Sequence, residues 1–272
     1  MGFTPRYETL VDIYNDAIQS YAYRELFGTK RSGRWEWITY SEFGKMVDRM
    51  RGALAELGVG KGDHLAIIAN NRVEWAVYCY AAMGLGAAYV PMYEAQSEKD
   101  WEFILRDCDA KLLVVANTAI FEKAKGFLHN LPALGHIIVL DGNVTGTNGL
   151  TGRVHSWKAL LEKGTEKPPV AVTKDDLACL IYTSGTTGNP KGVMLTHGNV
   201  ASNVSCARYV FPMERSDRSL SFLPWAHVFG QVAELHCLIS AGASMAIAES
   251  VEKIIDNLAE VKPTLLFSVP RI

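Results

Sequence analysis

YTSGTTGNPKGV, residues 182–193, places four hydroxyls (Thr183, Ser184, Thr186, Thr187), three glycines (Gly185, Gly188, Gly192) and one lysine, Lys191, within ten positions. Glycine lets backbone N–H groups turn inward as an anion nest, hydroxyls donate to phosphate oxygens, and the lysine adds a point positive charge. That combination suits a polyphosphate. A hydrophilic hairpin turning at Asn189-Pro190 would not ask for four hydroxyls around two glycines with a lysine close behind. The Walker pattern G-x-x-x-x-G-K-[ST] does not fit either, because the register from Gly185 meets Pro190 where glycine belongs. The context also differs. An apolar run at 177–182 precedes the loop, and Gly192-Val-Met-Leu195 follows it, so the loop joins two strands and does not open a helix.

Outward from this loop, helix and strand patterns alternate. Upstream, Thr39 and Glu42 have capping-box spacing, and Phe43, Met46, Val47, Met50, Leu54 and Leu57 fall on one helical face ending at Gly58. The turn GKGD leads into an apolar strand at 64–69, followed by a helix over about 72–83 and a strand at 87–92. Ser97 caps a helix carrying Trp101, Ile104 and Leu105; strands at 112–116 and 136–140 flank a helix near 118–129. The segment 141–155 is a Gly/Thr/Asn-rich loop, and Pro168-Pro169 marks a second break. Downstream come a helix near 198–209 and strands near 219–223, 243–248 and 264–269. Continuous Val/Ile/Leu strands separated by helices imply an α/β fold with mostly parallel sheets covered on both faces.

Composition is that of an ordinary globular protein: 272 residues, 49% hydrophobic and 21% charged, with a net charge of -2. No basic excess points to nucleic acid. Five scattered cysteines without C-x-x-C read as reduced thiols, which fits a cytoplasmic protein better than a disulfide or zinc framework. The uncharged stretch 75–93 is long enough for a membrane span, but Gly84, Gly86 and Pro91 favour a helix followed by a buried strand. Peripheral membrane contact stays open, and the sequence says nothing of oligomeric state. The last residues, TLLFSVPRI, follow a strand pattern with no polar tail, which reads as a truncation.

YTSGTTGNPKGVMLTHGN closely resembles the signature of the adenylate-forming superfamily, which includes acyl-CoA synthetases, luciferases and peptide-synthetase adenylation domains. The alternating run before it is similar to that family's large amino-terminal domain, so the resemblance covers essentially the whole chain. It implies two stacked, mostly parallel sheets flanked by helices, forming an incomplete amino-terminal domain. Residues 62–215 would make one subdomain, and 1–61 with 216–272 the other. It implies a carboxylate and MgATP as substrates, giving acyl-adenylate and pyrophosphate, with coenzyme A as acyl acceptor. Thr183, Ser184, Gly185, Thr186, Thr187 and Gly188 would close over the β- and γ-phosphates, Lys191 would hold the departing pyrophosphate, and Thr183 would sit near Mg2+. Attack by a weak carboxylate on phosphorus needs positioning and charge neutralisation more than a covalent nucleophile.

LPWAHVFG, residues 223–230, resembles the family segment that sets a histidine or aromatic beside the activated carboxylate. His227 is the match, between Trp225 and Phe229. Alone, such a histidine would be read as a cap or core residue; its place downstream of the loop gives it the role of polarising the carboxylate, a transition-state contribution on the order of 1–3 kcal/mol. His197 reads as structural. The helix Gly230–Ser240 would wall the acyl pocket, although its periodicity alone says core. LTHGN and LPWAHVFGQ look most like long-chain fatty acyl-CoA synthetases.

The family's Y-G-x-T-E and T-G-D segments, and its carboxy-terminal domain with a catalytic lysine, have no match in this sequence. The resemblance therefore implies that these 272 residues alone make neither acyl-adenylate nor acyl-CoA. Competing readings are an aryl- or amino-acid-activating relative, a non-catalytic nucleotide-binding module, and a phosphotransferase, against which the loop spacing weighs.

Overall fold

The structure is a computed structural model describing residues 4–142, 149–183 and 190–270. Helix α1 (Leu10–Ser20) starts at a capping box: the Thr9 hydroxyl accepts the Asp12 N–H, and the Asp12 carboxylate accepts the Thr9 N–H. Strands β1 (Glu25–Arg31) and β2 (Arg34–Thr39) form a hairpin around Ser32-Gly33, both at positive φ (48° and 78°) as a tight two-residue turn requires. Helix α2 (Tyr40–Glu56) begins at the Thr39–Glu42 box that the spacing predicts.

Then come β3 (His64–Ile68), α3 (Val73–Gly84), β4 (Ala88–Met92), α4 (Glu98–Asp107, capped by Ser97) and β5 (Leu112–Asn117). The uncharged stretch 75–93 is thus a buried helix followed by a buried strand. No helix among the described residues is long and apolar enough to cross a membrane. The helix expected over 118–129 is two pieces, α5 (Thr118–Ala124) and α6 (Phe127–Asn130), interrupted at Lys125-Gly126. After β6 (His136–Asp141), β7 (Val154–Ser156) and α7 (Trp157–Lys163), β8 (Leu177–Thr183) and β9 (Lys191–Thr196) flank the loop, and α8 (His197–Val210) follows.

The remaining elements are β10 (Arg218–Ser221), a π-helix (Gly230–His236) running into α9 (Cys237–Ala241), β11 (Ser244–Ile247), a 3-10 turn at Val251–Lys253 and α10 (Ile254–Val261). Two corrections fall here. The helix expected over 230–240 starts with π geometry. The strand expected over 264–269 is reduced to a single parallel bridge between Ser219 and Leu265.

There are two sheets. The larger has the order β7-β6-β5-β3-β4-β8-β9 and is parallel except for the β8–β9 pair; the smaller has the order β10-β11-β1-β2 and is parallel except for β1–β2. Strands of the larger sheet come from residues 136–141 and others between 64 and 196, and those of the smaller from both sides of that stretch. One apolar core spans both sheets, joining Phe27 and Met245 to Leu65 and Val114. Aromatic rings bridge them: Phe27 (β1) lies 5.8 Å from Trp225, Trp225 lies 5.6 Å from Trp75, and Trp75 lies 4.9 Å from Tyr89 (β4). Such tilted and edge-on contacts add to simple area burial. Because the parallel strands run one way, the carboxyl ends of β3, β4 and β8 share an edge, the usual place for ligands in α/β sheets.

Candidate active site

Strands β8 and β9 pair antiparallel, with Tyr182 opposite Gly192 and Thr183 opposite Lys191. The loop is therefore a hairpin whose mouth is the Thr183–Lys191 pair, both exposed at the carboxyl end of β8. Lys191 forms no ion pair with any described residue. Ser184, Gly185, Thr186, Thr187 and Gly188 lie outside the described residues. Tyr182 anchors the mouth from beneath: its hydroxyl donates to Asp107 Oδ2 at 2.6 Å, and a Cβ at Gly192 would come within 2.9 Å of its ring. Gly192 is thus required for the ring to lie across β9. Burial and the Asp107 bond push the Tyr182 phenol up, so it stays a neutral donor.

His227 sits in the turn after β10. Its N–H donates to Pro224 O (3.0 Å) and its carbonyl accepts the Gln231 N–H (3.0 Å), which starts the π-helix. A side chain at Gly230 would overlap Pro224 O, so glycine alone permits this tight passage. The imidazole is exposed, and the Phe229 N–H donates to its Nδ1 at 3.2 Å. That bond leaves the proton of the neutral ring on Nε2, making Nε2–H a donor for an oxygen ligand.

Leu195 of β9 and Val228, the residue after His227, border a groove of about 350 Å³, although Thr183, Lys191 and His227 are not among its lining residues. Leu195, Asn199, Val200, Asn203 and Ala207 form one side, and Val228, Phe229, Val232 and Ala233 the other. Its volume is at the lower end for small-ligand pockets. Of the helix expected to wall an acyl pocket, Val232 and Ala233 line this groove, while Gln231, Glu234, Leu235 and His236 are buried in the core. On the other side of the same segment, a cavity of about 410 Å³ opens among Asn70, Ser221, Pro224 and Ala248 at the strand carboxyl ends. Among the described residues no group of three His, Cys, Asp or Glu side chains could hold a metal ion. Thr183 offers one hydroxyl, which suits a magnesium ion carried mainly by phosphate oxygens and water.

Beneath the turn lies a network absent from the sequence expectations. Glu234, fully buried in the π-helix, accepts from Ser221 Oγ (2.6 Å), Ser219 Oγ (3.2 Å) and Trp225 Nε1 (3.3 Å). Asn71, just after β3, donates to Leu223 O (2.7 Å) and Ser221 Oγ (3.3 Å), and its Oδ1 accepts the Trp225 N–H (2.8 Å). The only sequence signals were an acid inside an apolar helix and an Asn-Asn pair ending a strand.

Desolvation raises the Glu234 carboxyl to about 7, against the pull of its three donors. Between the unfolded value near 4.5 and 7 the native state holds the extra proton, so this group's contribution to stability falls as pH rises through that window. At roughly 1.4 kcal/mol per unit, the difference in unfolding free energy between the native protein and E234Q should change by about 3 kcal/mol from pH 4.5 to 7.5. Urea titrations of both proteins across this range measure it; a pH-independent difference would place the carboxyl in water.

His236, 2.7 Å from the Tyr80 hydroxyl, is lowered to about 3 by burial, and His197, whose Nδ1 accepts the Leu10 N–H, to about 4. Both are neutral core histidines. Burial lifts the thiols of Cys108, Cys179 and Cys237 to about 12, which makes them unreactive.

The family model for AMP-binding enzymes matches residues 16–272. The chain is 31% identical over 252 residues to the long-chain-fatty-acid–CoA ligase FadD15 of Mycobacterium bovis, covering 88% of this chain and 40% of the relative. It is 30% identical over 281 residues to the peroxisomal long chain acyl-CoA synthetase 7 of Arabidopsis thaliana, covering 98% of this chain and again 40% of the relative. The chain thus spans about two fifths of the length of these curated relatives. Among solved structures, the anthranilate CoA ligase AuaEII in complex with anthranoyl-AMP superposes with a TM-score of 0.85 at 24% identity, over 97% of this chain and 50% of that one. The long-chain-fatty-acid-CoA ligase FadD1 of Archaeoglobus fulgidus gives 0.83 at 25% identity, over 100% and 54%. With its hairpin, its histidine turn and its two mostly parallel sheets, the chain belongs to the AMP-binding enzyme family.

Proposed function

We propose that this chain supplies the ATP- and acyl-binding part of a fatty acid–CoA ligase. A carboxylate oxygen attacks the α-phosphorus of MgATP, the bond to the β-phosphate oxygen breaks, and pyrophosphate leaves. The thiolate of coenzyme A then attacks the acyl carbonyl, and AMP departs with the electron pair of the acyl–oxygen bond. The observation that carries this reading is the mostly apolar groove that starts at Val228, the residue after His227, and borders Leu195 of β9, the strand that Lys191 opens.

In this reading Lys191 neutralises charge on the departing pyrophosphate, while Thr183 and the loop hydroxyls receive the phosphate oxygens, with Mg2+ arriving on the nucleotide. His227 donates from Nε2 to the carboxylate oxygen that is not attacking, which orients it and spreads its charge. The groove holds the hydrocarbon chain and keeps water from the mixed anhydride. The relatives' names support a long-chain acid, and the apolar lining supports hydrocarbon over an amino acid, whose ammonium would need a carboxylate partner. The same reading divides the molecule into a subdomain of about 62–215 and a second of 1–61 with 216–272.

ATP–pyrophosphate exchange by the full-length product of the gene, with acetate, palmitate, benzoate and amino acids in turn, tests the assignment. Palmitate should support exchange at least about tenfold faster than the others, since each buried methylene adds about 0.8 kcal/mol. Preferred exchange with benzoate or an amino acid would replace the fatty acid by that substrate.

A further inference from the structure

We infer that Glu234 and Asn71 are positioning residues that set the His227 turn from its two sides, an inference that rests on the role proposed for His227. Among the described residues, every polar partner of the Glu234 carboxylate lies in residues 219–225, the segment leading to His227. Asn71 comes from the larger sheet and grips the same segment through its backbone, at Leu223 O and Trp225 N. The turn is thereby held to both sheets at once.

Core packing alone does not call for this arrangement. A fully buried carboxylate carries a large desolvation cost, and apolar replacements of buried polar groups are often neutral or stabilising. What the acid adds is direction: three donors converge on two oxygens and fix the Trp225 indole, two residues before His227. The π-helix is the means. Its wider turn carries Glu234 inward to β10 while Val232 and Ala233 of the same turn line the groove. The wall that faces the acyl chain and the clamp that aims the histidine are one element.

The test uses Glu234→Leu, Asn71→Ala, Glu234→Gln and Ser221→Ala, with His227→Ala as the reference. In the full-length product of the gene, E234L and N71A should each lower the kcat of ATP–pyrophosphate exchange by about 10- to 100-fold through misplacement, with the KM for ATP unchanged. E234Q keeps an acceptor for Trp225 and Ser221 and recovers most of the rate. S221A removes the shortest bond with little change in volume and gives a partial loss, so the clamp is readable even where a larger change impairs folding.

If H227A leaves exchange intact, the histidine's role fails on its own. If H227A lowers exchange while folded E234L and N71A do not, the positioning inference is overturned. A second measurement on the 272-residue chain needs no turnover: imidazole 15N shifts of His227. The native protein and E234Q should show the Nε2–H tautomer, and E234L and N71A a mixture; an unchanged tautomer in both folded variants also overturns the inference.

Discussion

Replacing Lys191 with alanine should lower ATP–pyrophosphate exchange by the full-length protein about 100-fold or more, the scale of one lost charge-stabilising donor. The fold should not notice. Lys191 is exposed at the first position of β9 and makes no ion pair with any described residue, and surface changes of this kind stay within about 0.5 kcal/mol. Its pairing with Thr183 is through backbone atoms, which alanine retains. The loss should therefore appear in kcat with an unaltered melting curve. Arginine should restore part of it, because the charge returns on a planar fork in place of a compact ammonium. An undiminished exchange rate in the folded alanine variant would detach the hairpin from the chemistry.

The second large effect is on stability. Gly52→Ala should destabilise the protein by on the order of 4 kcal/mol, beyond the usual overpacking range because the obstacle is backbone. In an exposed helix the same change would stabilise by about 1 kcal/mol, so the sign is diagnostic. A Cβ at Gly52 of α2 would overlap the carbonyl oxygen of Thr165, and one at Gly164 would overlap that of Arg49. The segment after α7 is strapped onto α2 at this point: Lys167 N–H donates to Asp48 O (3.1 Å), and buried Arg51 donates to Lys167 O (2.6 Å) and Asp48 Oδ1 (2.7 Å). Val170 N–H then reaches Gly84 O on α3 (2.8 Å). Neither side can yield without unpairing the strap. Gly126→Ala is the control. Its backbone is helical (φ -64°), nothing lies within 4 Å of its missing Cβ, and alanine there should stabilise by about 0.5 kcal/mol. Urea unfolding of both variants reads the contrast; a stabilised Gly52→Ala protein would mean the strap is loose.

The centre of the larger sheet was legible because its strands β3, β4, β5 and β6 are covered on both faces. Runs such as those around Leu65, Val114 and Ile138 are apolar throughout, and all three residues are fully buried. The helix starts at Thr39 and Ser97 were legible as well, since a capping box is written in adjacent residues. The hairpin nature of the loop followed from strand patterns on both sides of it. The β1–β2 pair escaped notice for the opposite reason. ELFGTKR and RWEWIT are half exposed, and β1 is completed by β11, whose sequence lies far downstream. Residues 264–269 carry the apolar pattern without the ladder and with Leu266 and Val269 exposed, which shows that an apolar run alone fixes neither pairing nor burial. Of the candidate site, Thr183, Lys191 and His227 were readable as residue types in a motif. The Glu234–Asn71 clamp was not. It joins positions far apart in the chain, and a 3.6-residue period gives no warning of a π turn.

The bridge of indoles between the sheets makes the molecule its own optical gauge. Trp75 and Trp225, with centroids 5.6 Å apart and planes at 64°, are close enough for their electronic transitions to mix, and Trp225 stands two residues from His227. Near-ultraviolet circular dichroism of this protein should therefore be dominated by that couplet. It would fade when the sheets part, even while far-ultraviolet ellipticity persists.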